Sequence, residues 1–151
     1  MEKRQPRYLI SACLCGHACR YDGGSFDLPH LQKLVDDGVA LPFCPECAGG
    51  LPTPRTPCEI VATPDGDRRI ISRTGIDCTA EYDRGAELAL ALCRERGLIG
   101  AILKDGSPSC GITRIYDGTH TGQRIAGRGV TASLLAKHGF ALYTELDPPT
   151  E

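Results

Sequence analysis

Four short apolar runs punctuate the chain, at residues 8–12, 39–43, 101–104 and 140–143, and each reads as a buried strand. Between them, apolar positions recur at helical spacing. Residues 31–37 read as a short helix ended by Gly38, and residues 130–138 as one closed by Gly139. The clearest helix spans residues 79–96: Thr79 serves as its cap, Glu81 favours its positive end and Gly97 stops it. Tyr82, Ala86, Leu90 and Cys93 share one face of that helix, which should pack on the sheet. Residues 59–62 and 69–72 flank the turn-rich 63–67 and read as a hairpin at the rim. Residues 45–57 carry four prolines and two adjacent glycines, which predicts a stiff loop without regular structure. Residues 107–111 form a Pro/Gly loop, and residues 112–129 read as irregular or weakly stranded.

This alternation predicts an α/β fold: one domain over residues 1–151, with its core at about 8–145. The sheet should be mainly parallel and Rossmann-like, with helices on both faces and the small hairpin at its rim. A chain of 151 residues suits a single domain, and only 5% aromatic residues with no Trp demand an aliphatic core.

Charge and segment character exclude some functions. A formal net charge of -2 offers no extended nucleic-acid surface. No run approaches the ~20 apolar residues of a membrane span, and the first residues lack the pattern of a signal peptide, so a cytoplasmic location is expected. In that reducing compartment nine cysteines, an odd number, suit metal ligation or catalysis better than disulfides. Oligomeric state leaves no mark on the pattern.

Three of those cysteines follow strand ends. Cys13 comes directly after the first strand, Cys44 directly after the second, and Cys110 a few residues beyond Lys104. In open parallel sheets ligands collect beyond the carboxyl ends of the strands, so these thiols should meet at one crevice. They suit zinc or an iron–sulfur cluster. Three thiolates leave one iron of a 4Fe-4S cube without a protein ligand, the open position that substrate activation needs. Cys58, Cys78 and Cys93 read as small buried residues.

The segments SACLCGHACRYDGG from Ser11, FCPECAGGLPTPR from Phe43, ILKDGSPSCG from Ile102 and GRGVTASLL from Gly127 resemble the thiouracil desulfidase family, from about Leu9 to Tyr143. That resemblance implies a 4Fe-4S cluster on Cys13, Cys44 and Cys110. It also implies non-redox removal of sulfur from a thiolated pyrimidine, as free base, nucleoside or nucleotide. Two residues depart from the pattern: Cys15 stands where relatives usually carry an aliphatic residue, and Cys47 creates a CPEC sequence. Either thiol, or Cys19, lies within reach of the site.

The expected catalytic residues are Glu46, the carboxylate nearest a proposed ligand, and Ser107, which resembles a family active-site serine. Arg20, Tyr21, Asp22, Arg55 and Lys104 are the expected substrate-binding residues, with Arg20 and Asp22 alternatively pairing only with each other. Amides of residues 127–131, entering a helix, offer a phosphate site. Two rival readings use Cys44 with Cys47: a non-catalytic zinc- or cluster-binding module, and a dithiol redox protein.

Overall fold

The computed structural model describes residues 5–26 and 28–149; the ends of the 1–151 domain lie outside the described residues. Four strands, β1 (Tyr8–Ser11), β2 (Ala40–Phe43), β5 (Gly100–Leu103) and β8 (Ala141–Thr144), form a parallel sheet in the order β2-β1-β5-β8. Helix α1 (Pro29–Asp36) opens on a proline, whose fixed φ suits a first helical residue and whose missing N–H costs nothing there. Leu31 of α1 packs with Tyr8, Ile10 and Ile102 on one sheet face. On the other face, α3 (Thr79–Glu95) and α4 (Val130–Lys137) bury Ala89, Leu90, Cys93 and Leu135 against Leu9, Ala101 and Leu103. Helices therefore cover both faces, as the strand–helix alternation predicts.

The rim hairpin is β3 (Cys58–Ala62) with β4 (Arg68–Ser72), antiparallel with Cys58 opposite Ser72. A third apolar cluster of Cys58, Ile70, Cys78, Tyr82, Ala86 and Val130 ties it to α3 and α4. The four residues expected on one face of α3 are all buried.

Two expectations are corrected, and a third is made specific. Residues 45–57 are not wholly irregular, because α2 (Pro45–Ala48) begins directly after Cys44 with Pro45 in its first turn. Thr79 is the first residue of α3 rather than its cap: its N–H donates to Asp77 Oδ1 at 2.9 Å, and its hydroxyl accepts from Ile70 N. The weakly stranded stretch holds a two-stranded ribbon, β6 (Arg114–Tyr116) with β7 (Arg124–Ala126).

Candidate active site

Register brings the strand ends together. Ser11 lies opposite Phe43 and Ile10 opposite Ile102, so β1, β2 and β5 finish at one edge of the sheet. Between β1 and β5 the chain changes the direction in which it winds, the place where such sheets open a crevice. A cavity of about 530 Å³ lies there, and Cys13, Cys44 and Cys110 all line it.

Each thiol is fixed by a different local device. Cys13 sits in a 3-10 turn, Ala12–Leu14, immediately after β1. Cys44 precedes α2, which seats against α3 at a contact without side chains: a Cβ on Gly85 would collide with the Pro45 carbonyl. Cys110 rides on a loop held from both ends. Asp105 Oδ1 accepts the N–H groups of Gly106, Ile112 and Thr113 at 2.8–3.0 Å. The first amides of α4 take the loop's carbonyls: Val130 N donates to Pro108 O, and Thr131 N and Ala132 N to Ser109 O. Gly129 permits that approach, since a Cβ would meet the Ser109 carbonyl at 2.6 Å. These bonds overturn the expected phosphate site at residues 127–131, whose helix-entry amides from Gly129 onward are already engaged by backbone carbonyls.

Asp105 supplies a stability prediction. Burial alone would raise its pKa, but the Thr113 hydroxyl and the N–H groups of Ile112, Thr113 and Arg114 outweigh it and bring it to about 2. Its folded pKa lies below the ~3.9 of an unfolded aspartate, so this stabilisation is complete above that value and lost as pH falls toward 2. Asp105→Asn is expected to cost about 2 kcal/mol at neutral pH, a fall in Tm of about 4–8 °C that shrinks in melts below pH 3.

The donor set fits a cluster held by thiolates. All nine cysteines are free, and Cys19 and Cys58, the latter expected only as a small buried residue, join the three on the cavity wall. Hydrogen bonding to Cys13, followed by burial, pushes the Cys19 thiol up to about 12, and burial pushes Cys110 up to about 11. Cys44 is also raised, first by the Cys19 thiol and then by burial. Metal binding must displace these protons. Among the described residues no three His, Cys, Asp or Glu side chains converge as for a single ion. A cube takes each thiolate on a different iron, so its ligands need not converge so closely.

The two departures lie off the cavity wall. Cys15 is buried against α1 in the core, and Cys47 Sγ contacts Thr53 Oγ1 at 3.3 Å; neither residue lines the cavity.

Glu46, on α2, is held by three donors. Arg55 Nε and Tyr82 Oη donate to its Oε1 at 3.1 and 2.9 Å, and Ser109 Oγ donates to its Oε2 at 2.8 Å. Arg55, expected at the substrate, lines the cavity and also clasps the site: it donates to Cys19 O, Pro52 O and Thr53 Oγ1. Its side chain is only 7% exposed. Burial would lower its pKa, but the Glu46 charge outweighs that and raises it. Ser107 braces its own loop, its oxygen accepting from Ser109 N at 3.1 Å and Cys110 N at 2.8 Å.

Arg20, Tyr21 and Lys104 line the cavity around Phe26, whose ring lies 4.5 Å from the Arg20 guanidinium carbon and 5.4 Å from Lys104 Nζ. Lys104 also pairs with Glu145 at 3.0 Å. Asp22 does not line the cavity; it pairs with Arg20 at 3.6 Å and accepts from Gly24 N.

Sequence reasoning missed Ser109, Tyr82 as a polar residue, and the far wall formed by Arg73, Arg114, Tyr116, His120 and Arg124. For Ser109 a signal existed, since it directly precedes a proposed ligand. The far wall comes from separate segments and carries no local mark.

Comparison with known proteins bears on the fold and the family. The uncharacterised protein YbbK of Bacillus subtilis (strain 168) is 42% identical over 142 residues, covering 91% of this chain and 94% of its own. A solved structure of TudS, a [4Fe-4S]-dependent thiouracil desulfidase, matches with a TM-score of 0.84 and 48% identity, over 93% of this chain and 91% of that one. Residues 8–147 match the 2-thiouracil desulfurase family, and the chain therefore belongs to it.

Proposed function

We propose that the protein is a 4Fe-4S-dependent desulfidase that exchanges the thiocarbonyl sulfur of a thiolated pyrimidine for oxygen from water. One observation carries this reading: three thiols from three separate strand ends line one cavity beside an anchored carboxylate. Cys13, Cys44 and Cys110 hold the cluster, and the fourth iron carries no protein ligand. When bound, the cluster supplies a soft Lewis acid suited to a sulfur atom. The overall exchange, C=S plus water to C=O plus hydrogen sulfide, moves no net electrons.

Glu46 is the general base that takes a proton from the attacking water. Ser107 holds the loop that carries Ser109 and Cys110. Arg20, Tyr21 and Lys104 form the substrate wall; Asp22 acts through Arg20, and Arg55 through Glu46. The substrate is a small molecule rather than an extended nucleic acid. No described helix is long and apolar enough to cross a membrane, and the nine free cysteines suit a cytoplasmic setting.

Anaerobic reconstitution with iron and sulfide tests the reading, followed by assay on 2-thiouracil, 4-thiouracil and their nucleotides. The expected product is a brown protein with about four irons per chain that releases one sulfide for each base converted. Fully loaded protein that converts none of these compounds would reject it.

The dithiol rival is separated by Cys47→Ser. Cys47 lies outside the cavity wall and serine can keep its contact with Thr53 Oγ1, so iron content and turnover should stay within about twofold of the wild type, a change of about 0.5 kcal/mol. Loss of turnover with the iron retained would restore that rival.

A further inference from the structure

A carboxylate offers about four lone-pair directions, two on each oxygen, and the geometry at Glu46 leaves them unequal. Among the described residues, Oε1 receives two donors, Arg55 Nε at 3.1 Å and Tyr82 Oη at 2.9 Å, while Oε2 receives only Ser109 Oγ at 2.8 Å. Oε1 is saturated and Oε2 keeps one lone pair. We infer that Tyr82 and Ser109 are positioning residues that make Oε2 the proton-accepting oxygen of Glu46. This rests on the desulfidase reading and deepens it.

The directions of the hydroxyl protons follow from their neighbours. Ser107 Oγ already accepts two backbone N–H groups, so across the 3.0 Å contact it donates to Ser109 Oγ. Ser109 therefore turns its own proton outward. Two acceptors compete for it, Glu46 Oε2 at 2.8 Å and Cys110 Sγ at 3.5 Å. The Glu46 oxygen takes it, because oxygen at 2.8 Å is a better acceptor than sulfur at 3.5 Å. Tyr82 is 2% exposed and Ser109 1%, so neither side chain has water as a substitute partner. Burial, then the Glu46 charge, raises the Tyr82 pKa, which keeps its hydroxyl a donor. Both residues act through Glu46, to which their hydroxyls donate.

The test compares Tyr82→Phe and Ser109→Ala with the wild type by crystal structure and by steady-state kinetics on 2-thiouracil. Tyr82→Phe deletes one hydroxyl without changing the packed ring, so it should fold and load iron as the wild type does. The expected result is a Glu46 carboxylate that no longer holds a single orientation. With it, kcat falls about ten- to a hundredfold, the scale of a misplaced catalytic group, while KM stays within about twofold.

Glu46 unmoved in both variants overturns the inference, and so does a moved Glu46 with kcat unchanged. If the loaded wild type converts no thiolated pyrimidine, the desulfidase reading falls, and the inferred role in turnover falls with it. In that event the orientation of Glu46 in the two variants still shows whether the hydroxyls set it.

Discussion

Glu46→Gln is expected to lower thiouracil turnover by about a thousandfold, within the range that a general base contributes, with the iron content unchanged. Glutamine keeps the length of the side chain and an oxygen that accepts from Tyr82 or Arg55. It loses the charge and the basic lone pair on Oε2. The new side chain presents an amide where Ser109 now donates at 2.8 Å, so the Ser109 hydroxyl must turn away or the amide must flip. Arg55, only 7% exposed, loses its anion. A buried cation left without its partner costs about 3 kcal/mol, so the variant should also melt earlier. Rates near those of the wild type would remove Glu46 from the chemistry, whatever happened to stability.

The second large effect is expected at the ligands. Cys13→Ser, Cys44→Ser and Cys110→Ser should each lose most of the bound iron and all measurable turnover, because a hard hydroxyl replaces a soft thiolate. The fold should survive in all three. Cys13 and Cys44 are only partly buried, and Cys110 is buried but packs beside the Ser109 hydroxyl, a polar neighbour for a new one. Circular dichroism separates loss of metal from loss of structure. Cys93→Ser is the contrasting control: Cys93 lies in the apolar core of α3, 0% exposed. That change should lower stability and leave the iron bound.

Much of this arrangement was legible from local pattern. The runs at Tyr8 and Ala40 are short, apolar and bounded by turn residues, so the strand ends, and hence Cys13 and Cys44, could be placed before any coordinates. Helix α3 announced itself through the spacing of Tyr82, Ala86, Leu90 and Cys93. The same periodicity hid what Tyr82 does, since an apolar face says nothing about where a hydroxyl at its edge finds a partner. Helix α2 was hidden by the prolines in and after it. Pro45 starts that helix, and only the close approach of Gly85 shows why it forms there.

The phosphate expectation failed for a tertiary reason. The start of α4 was readable, but the use of its amides to hold the Cys110 loop depends on a segment well separated from it along the chain. The ribbon β6–β7 has three-residue strands, too short for alternation to register. Ser107 and Ser109 are equivalent in the string SPSC. The fold separates them, turning one toward backbone amides and the other toward Glu46.

The central claim is that the chain gives thiolates to only three irons of the cube and leaves the fourth to the substrate. Mössbauer spectra of the reconstituted protein, recorded with and without 2-thiouracil, address it directly. The account predicts one iron distinct from the other three, whose signal alone shifts when 2-thiouracil is added. Four equivalent irons that ignore the added base would contradict it.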